Sequence, residues 1–374
     1  MRGSRRRNAV RPVTCRHGSR VGGGGWCRCA GTFTLDGHRV RIPTARGTTP
    51  VWVRLAREIP YPVEQVRSIT LLCEGGRLFL DVTAELPVAV YPLGEGPDPG
   101  RVAGVDVGII HPYAVAGPGG EGLLVSGRAI RAEHRMHLAD TKARQRAVAR
   151  RAPKPGQRGS RRWRQYRARA RQVEGRHRRR VRQAQHEAAR TVVDWAVGQR
   201  VGVLHVGDPR GVLDLPAGRR HNLRLRQWQI GRLLQILTDK ATLAGITLRL
   251  VDERGTSSTC PACRRRVPKP WGRTMTCPHC AFSGHRDLVA AASIATRTPG
   301  GGHTTPTAVP VLPGVVTHRR AGRHLPGAGR SRRDPRRPPG RREGQDGPRW
   351  PAPPPSGESL ASTARIHNNP SESR

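Results

Sequence analysis

Two short cysteine pairs restrict the fold of this 374-residue chain more than any other feature. Cys260-Pro-Ala-Cys263 and Cys277-Pro-His-Cys280 are separated by 13 residues. Each CxxC turn can place two thiolates on one ion, and four thiolates complete the tetrahedron of a structural Zn²⁺ site. The separation is slightly shorter than is usual for this pattern, but a short basic hairpin can span it. The four cysteines therefore predict a closed zinc ribbon over 260–283, with a redox dithiol pair as the alternative.

Charge sets the second constraint. The chain has 68 Lys and Arg against 26 Asp and Glu, a net charge of +42, which favours a polyanionic partner over a small neutral metabolite. No apolar run reaches the ~18 residues of a membrane-spanning helix, and the Arg-rich start lacks the apolar stretch of a signal peptide. We expect a cytoplasmic, nucleoid-associated protein without a membrane partner.

Much of the positive charge lies in one helical stretch. Residues 128–182 contain 21 Lys and Arg against three acidic residues, within helical patterns over 129–152 and 160–198. A solvated helical face normally mixes signs, so this single-sign stretch favours phosphate binding. Trp163 and Tyr166 are its only aromatic residues, so contacts to a nucleic-acid backbone should outweigh base stacking. The predicted nucleic-acid contacts are Arg161, Arg162, Arg164, Arg167, Arg169, Arg178, Arg179 and Arg180.

Strand and turn patterns place an antiparallel module before a mixed α/β core. Residues 32–42 alternate around an Asp36-Gly37 turn, and 68–82 read as a second hairpin. Strand and helix patterns then alternate up to a strand at 246–251, which is typical of a mixed sheet. The predicted division is 1–31 disordered or a misassigned start, 32–100 β module and linker, 101–259 α/β core with a basic helical insert 128–200, 260–283 zinc ribbon, 284–297 final helix, and 298–374 disordered tail.

Three acidic residues stand at ends of elements in this core. Asp106 lies in an apolar strand, where a buried carboxylate costs several kcal/mol unless a partner or a metal compensates it. Glu253 follows the strand 246–251, and Asp287 opens the helix after the ribbon. Taken singly, Asp106 could cap a turn and Asp287 could be an ordinary carboxylate of a helix N-terminus. Together the three could hold two Mg²⁺ ions and hydrolyse a phosphodiester bond.

In this order, the motifs resemble the OrfB/TnpB-type family of transposon-encoded proteins, relatives of the type V CRISPR effectors. The resemblance covers about 66–297 and rests on Gly104-Val105-Asp106-Val107-Gly108, the helix 228–240, the stretch 252–263 and the motif 286–291. It implies an RNase H-like (RuvC) mixed sheet, a structural Zn²⁺, a catalytic Mg²⁺, DNA and a guide RNA as partners, and RNA-guided DNA cleavage linked to transposition.

One departure from the family pattern concerns the active site. The family places a Glu where this chain has Gly207, and Asp208 should point to the opposite face of the strand. Glu253 lies on the strand expected beside it, so the predicted catalytic and metal-binding residues are Asp106, Glu253 and Asp287. The competing interpretation is loss of this ligand and of cleavage, leaving a nuclease-inactive or decayed protein that only binds nucleic acid.

A second departure concerns the segment before Asp106, which is shorter than in the family. The resemblance thus implies a misassigned start or a truncated copy without the recognition helices. A plain zinc-ribbon DNA-binding regulator is a third interpretation, but it leaves Asp106 and Asp287 unexplained.

Overall fold

The computed structural model describes residues 27–30, 33–42, 48–74, 77–212, 218–268, 272–297 and 312–326. These residues separate into two compact units. One unit holds the residues up to Pro87 together with Val148–Arg176, and the other holds Val88–Ala147 and the residues from His177 onward. The disorder predicted for 1–31 and 298–374 falls largely outside the described residues.

The first unit contains two small antiparallel sheets. Its strands are β1 (Cys27–Ala30), β2 (Thr34–Asp36), β3 (Arg39–Ile42), β4 (Val51–Arg54), β5 (Val66–Glu74) and β6 (Arg77–Ala84). The sheet orders are β1-β5-β6 and β2-β3-β4, so both predicted hairpins form. Val40, Ile42, Val66, Ile69 and Val82 make their buried core. β1 pairs with β5 inside the segment predicted to be disordered, so that prediction is wrong for these four residues.

The second unit is a mixed α/β fold, and its elements follow in chain order. They are β7 (Asp98–Asp106), β8 (Tyr113–Ala116), β9 (Glu121–Ser126), α1 (Arg128–Ala149), α2 (Arg161–Gly198), β10 (Val201–Asp208), α3 (Arg219–Trp228), α4 (Ile230–Leu243), β11 (Thr247–Asp252), β12 (Thr274–Thr276), β13 (Ser283–His285), α5 (Arg286–Ala295) and β14 (Val315–Arg320). The helices α1 and α2 contribute residues to both units. Among the helices of the described residues, none combines the length and the apolarity that a membrane crossing requires.

A six-stranded sheet of order β11-β10-β7-β8-β9-β14 forms the centre of this unit. β10 runs parallel to β7 and β11, whereas β8 runs antiparallel to β7 and β9. The arrangement confirms the predicted mixed, RNase H-like sheet. Parallel pairing brings the carboxyl ends of β7, β10 and β11 to one edge, where Asp106, Asp208 and Asp252 close their strands.

Two helices, α2 and α5, contribute to the core of this unit. The second half of α2 presents a stripe at helical spacing that is fully buried, formed by Val181, Ala184, Ala188, Val192 and Ala196. The helix α5 packs directly on β7, because a Cβ atom at Gly104 would lie 1.9 Å from the carbonyl oxygen of Ala291. Glycine thus permits a backbone contact that brings Asp287, in the first turn of α5, towards the end of β7.

Part of the predicted tail is ordered. β14 pairs in parallel with β9 at the edge of the large sheet, so the prediction of disorder over 298–374 is wrong for this strand. The segment begins with Val315, Val316 and Thr317, whose β-branched side chains favour extended structure. Pro and Gly residues surround these three residues, so the composition of the whole segment indicates disorder and conceals the short strand.

The segment between β10 and β11 forms two helices rather than one continuous helix. Gln229 adopts a left-handed conformation with φ of 51°, and it ends α3 and precedes α4. Leu and Ile recur at helical spacing on both sides of the break, so the apolar pattern alone does not reveal it.

Candidate functional site

Asp106 lies at the end of β7 among like charges. Burial raises the pKa of its carboxyl group well above the ordinary value, and the charges of Asp287 and Glu253 raise it further, against Arg286 and Arg273. The three predicted carboxylates therefore lie close enough to interact. Ionisation of a carboxyl group in this position is disfavoured unless a cation compensates its charge.

The side chain of Glu253 occupies the space above Gly207. Gly207 pairs with Val251 across the parallel strands β10 and β11, and Glu253 follows two residues later. A Cβ atom built on Gly207 would lie 2.8 Å from Oε2 of Glu253, 3.1 Å from its Cβ and 2.8 Å from Cδ1 of Ile294. Thus Glu253 and Ile294 together fill the volume into which a side chain at position 207 would project.

Glu253 carries a buried carboxylate oxygen, Oε2, without a hydrogen-bond partner in the described part of the chain. Burial raises the pKa of Glu253 to about 7, with further contributions from Asp208 and Asp252 and opposition from Arg297. Arg297 donates instead to the backbone carbonyls of Asp252 and Arg254. A buried acceptor of this kind is costly unless a ligand or a proton satisfies it.

Asp287 differs because it already has partners. Nδ1 of His111 lies 2.8 Å from Oδ2 of Asp287, and Nη1 of Arg273 donates to Oδ1 at 2.9 Å and to Oδ2 at 3.1 Å. Burial alone would raise the pKa of Asp287, but these two partners and the charge of His285 lower it to about 2. Asp287 is consequently ionised without a metal, and a metal ion there would compete with the guanidinium group of Arg273.

Sequence reasoning missed the roles of His111 and Arg273. His111 sits in the connection between β7 and β8, five residues after Asp106. Arg273 precedes β12, and pairing of β12 with β13 sets its backbone carbonyl against the amide of Arg286, which donates at 2.7 Å. The sequence feature that could have indicated His111 is its position as a titratable residue soon after the motif at 104–108. Arg273 lies in the basic segment between the two cysteine pairs, and nothing in its local sequence distinguishes it from the other basic residues there.

This donor set can hold a hard cation. Asp106 and Glu253 are carboxylates whose ionisation is disfavoured in the absence of a counter-ion, and Mg²⁺ prefers carboxylate oxygens. Within the described residues, ligand atoms of His111, His285 and Asp287 also lie within 4.8 Å of one another. That cluster contains Asp287 but not Asp106 or Glu253, and Asp287 already has Arg273 as a cationic partner.

The Sγ atoms of the four predicted cysteines lie within 4.8 Å of one another. Sγ of Cys260 lies 3.6 Å from that of Cys280, and Sγ of Cys263 lies 3.6 Å from that of Cys277. Tetrahedral ligands at ~2.3 Å from zinc are about 3.8 Å apart, so the spacing fits such a site. All four are free thiols rather than disulfides. Val267 and Met275 pack beside them, together with Val289 of α5.

The predicted nucleic-acid contacts on α2 are mostly exposed. Arg161, Arg162, Arg164, Arg167, Arg169 and Arg178 are exposed to solvent, whereas Arg179 and Arg180 are half-buried. The guanidinium group of Arg167 lies 5.3 Å from the ring centre of Trp163, which is a cation–π distance. Nη1 of Arg180 lies 3.7 Å from the buried Glu133, so this residue has a structural partner.

Two sequence models of protein families match segments of this chain. The sequence model of OrfB_IS605, described as a probable transposase, matches residues 85–213. The model of the Cas12f1-like TNB domain matches residues 231–294. Both matches support a TnpB-type family for this chain. The two matched segments contain Asp106, Glu253, Asp287 and the four clustered cysteines.

Three solved structures are similar at low sequence identity. A cryo-EM structure of a CRISPR-Cas12f ternary complex has 19% identity and a TM-score of 0.42, covering 64% of this chain and 47% of that one. A Cas12f1–sgRNA–target DNA complex has 17% identity and a TM-score of 0.40, covering 74% and 67%. The mini-RNA-guided endonuclease CRISPR-Cas_phi3 has 15% identity and a TM-score of 0.30, covering 54% and 46%. The chain thus spans about half the length of the first and third proteins. No curated protein matches the chain.

Proposed function

We propose that this TnpB-type protein is an RNA-guided DNA-binding protein and a Mg²⁺-dependent DNA endonuclease, with Asp106, Glu253 and Asp287 as its catalytic carboxylates. The observation that carries the proposal is the position of Glu253, whose unpartnered Oε2 lies 2.8 Å from the Cβ position of Gly207. In this proposal, Glu253 supplies the carboxylate that Gly207 cannot supply. The net charge of +42 and the exposed arginines of α2 support nucleic acid as the substrate class.

Each residue of the site has a distinct task. Asp106 and Glu253 would hold Mg²⁺, which when bound activates water and stabilises the leaving oxygen of a phosphodiester. Asp287 is kept ionised by His111 and Arg273, so it supplies negative charge at any physiological pH. Arg273 is about one third exposed and can also contact a phosphate oxygen of the strand. In the same proposal, the four clustered cysteines bind Zn²⁺ in a closed structural site.

The experiment moves the carboxylate between two positions. Purified protein with its co-purifying RNA is tested for Mg²⁺-dependent DNA cleavage as wild type, Glu253→Ala, and the double variant Gly207→Glu with Glu253→Ala. We expect Glu253→Ala to lose cleavage by at least about a hundredfold. The double variant should recover part of it, because Cδ1 of Ile294, the end of a flexible side chain, is then the remaining close contact that must move for a side chain at position 207. The exposed Glu95→Ala is the matched control.

The outcomes separate the alternatives. Full cleavage by Glu253→Ala would exclude Glu253 as a ligand. Absence of cleavage in the wild type, with tight RNA-dependent DNA binding, would establish the nuclease-inactive protein. One observation favours that second function: Arg273 already neutralises both oxygens of Asp287. Loss of cleavage in Asp106→Ala distinguishes the enzyme from a contaminating nuclease.

A further inference from the structure

A cavity of about 290 Å³ lies beside the carboxylate site in the second unit. Its walls come from the β7–β8 connection and from α1, α2, α3 and α4. Apolar side chains make up much of the lining, contributed by Ile109, Ile110, Pro112, Ile130 and Leu233. Its volume is near the lower end of the range of small-molecule sites, and an apolar wall with a few polar groups is the usual composition of such sites.

Four polar side chains of the lining have a buried atom that lacks a hydrogen bond. Within the described residues, Nε of Arg131, Nε2 of His134, Oε1 of Gln185 and Nε1 of Trp228 have no partner. Each such atom costs about 1–3 kcal/mol in a folded protein. Both donors and an acceptor are present, so small side-chain rotations would satisfy the hydrogen-bonding edge of a planar heterocycle.

The electrostatics of the cavity favour an anion. Arg131, Arg135 and Arg224 line it, and none of its lining residues in the described part is acidic. Burial lowers the pKa of Arg131, and the charges of Arg135, Arg273, Arg128 and Arg224 lower it further. These four neighbouring charges are all positive. A phosphate group would relieve this repulsion and accept charge-assisted hydrogen bonds.

The cavity is connected to the carboxylate site through shared residues. Gly108, Ile109 and Ile110 line it and follow Asp106 in the chain by two to four residues. Arg273 binds Asp287 and is also one of the charges acting on Arg131. A strand whose phosphate lies at the carboxylates would therefore have a neighbouring nucleotide within reach of the cavity.

One wall of the cavity is built at the break between α3 and α4. Gln229 holds the left-handed conformation immediately after Trp228, and Oε1 of Gln229 accepts a hydrogen bond from Nε2 of Gln185 at 3.3 Å. A left-handed non-glycine residue is energetically unfavourable and typical of sites where the surroundings enforce it. The break thus fixes Trp228 and Gln185 as adjacent lining residues.

We propose that this cavity binds one unstacked nucleotide of the single strand engaged at the carboxylate site. The base enters the apolar volume and pairs its edge with Gln185, His134 and Trp228, while its phosphate contacts Arg131, Arg135 or Arg224. Extrusion of a base costs a few kcal/mol in a duplex and least in a single strand, which favours a single-stranded substrate. The inference rests on the proposed binding of nucleic acid but does not require cleavage.

Binding of short single-stranded DNA without Mg²⁺ tests the proposal. RNA-free full-length protein is titrated with a labelled oligonucleotide and with a series carrying one abasic position at each site in turn. We expect one position at which loss of the base weakens binding roughly tenfold, the size of a single base contact. In Gln185→Leu, which keeps the side-chain volume approximately, that position should no longer matter.

Two arginines of α3 provide a matched control. Arg224 lines the cavity and Arg226 does not, and both are exposed. Arg224→Gln should weaken binding of the intact oligonucleotide more than Arg226→Gln, with a smaller abasic effect only in Arg224→Gln.

The remaining outcomes distinguish failure of the pocket from failure of the proposed function. Tight binding with no sensitive abasic position would overturn the pocket and leave the proposed function standing. No binding of DNA at all, with or without RNA, would instead overturn the proposed function. Thermal stabilisation by a free nucleoside monophosphate without an abasic effect would assign the cavity to a free nucleotide and also overturn the strand proposal.

Discussion

At the residue level, Glu253 and Asp287 are carboxylates with opposite electrostatic environments. Glu253 is buried with neighbouring acids and an orphaned oxygen, whereas Asp287 is held by His111 and Arg273. Divergent pKa values within one cluster are typical of functional sites, where burial and neighbouring charges shift adjacent groups in opposite directions. The pair therefore predicts different responses to pH and to metal.

Replacing Glu253 by Gln should stabilise the metal-free protein above neutral pH. The pKa of Glu253 is raised from its ordinary value of 4.5 to about 7, so the neutral form is favoured in the folded state. Stability is then lost as pH rises from about 4.5 through 7, and Glu253→Gln avoids this loss, with a gain of at most about 3 kcal/mol at pH 8. Denaturant unfolding in EDTA at pH 5 and pH 8 measures it.

The comparison at two pH values contains its own control. At pH 5 the folded carboxyl is protonated and only the first part of the loss has occurred, so the two proteins should differ much less than at pH 8. An equal difference at both pH values would show that packing, rather than charge, separates them. Glu95→Gln, at an exposed position, should have no effect at either pH.

At the level of elements, the contact between α5 and β7 positions the last carboxylate. Gly104→Ala should destabilise the protein by at least about 3 kcal/mol, because its Cβ would overlap the backbone of Ala291 and Ala295, which cannot move without shifting the helix. Gly231→Ala is the matched control, since nothing lies within 4 Å of its Cβ position in α4. That substitution should stabilise by about 0.5–1 kcal/mol through helix propensity. Thermal unfolding compares the two, and equal effects would contradict the close contact.

The cysteine cluster makes a prediction at the same level. Cys277→Ser should remove bound metal, from about one Zn²⁺ per chain to nearly none, and lower the midpoint of thermal unfolding, since a structural zinc site contributes directly to folding. Metal analysis of the purified protein measures the stoichiometry. Cys73→Ser, at an exposed cysteine outside the cluster, is the control and should keep the metal. Because Val289 of α5 packs against the ribbon, loss of the metal should also loosen Asp287.

At the level of the whole molecule, the charge of +42 determines how binding depends on salt. If six to ten phosphates are contacted, affinity for DNA should fall roughly 10³- to 10⁵-fold between 50 and 200 mM salt. Replacing Arg161, Arg162 and Arg164 by Gln should reduce the slope of log K against log salt by about three. Titrations at several salt concentrations measure this slope.

A second triple variant tests whether the effect belongs to α2. Arg319, Arg320 and Arg323 are equally exposed and lie in the C-terminal part of the described chain. Their replacement by Gln removes the same charge and should change the slope less. An equal change would show that total charge, rather than the helix, governs binding.

Much of this molecule could be predicted from local patterns in its sequence. The CxxC pairs announce the cysteine cluster, because a tight turn alone brings each pair of thiols together. Alternation and helical spacing predict the strands and helices of the mixed sheet, because the periodicity of an element depends on neighbouring residues. The motif order around Asp106 and Asp287 likewise indicates the family.

The tertiary structure alone decided what surrounds those residues. Whether Glu253 fills the volume at Gly207 depends on the register of β10 against β11, and the pairing of Asp287 with Arg273 joins residues 14 apart through the ribbon. The cavity beside Asp106 draws its lining from one loop and four helices. Local sequence sets which elements form, whereas distances between side chains follow from long-range packing, which no short pattern encodes.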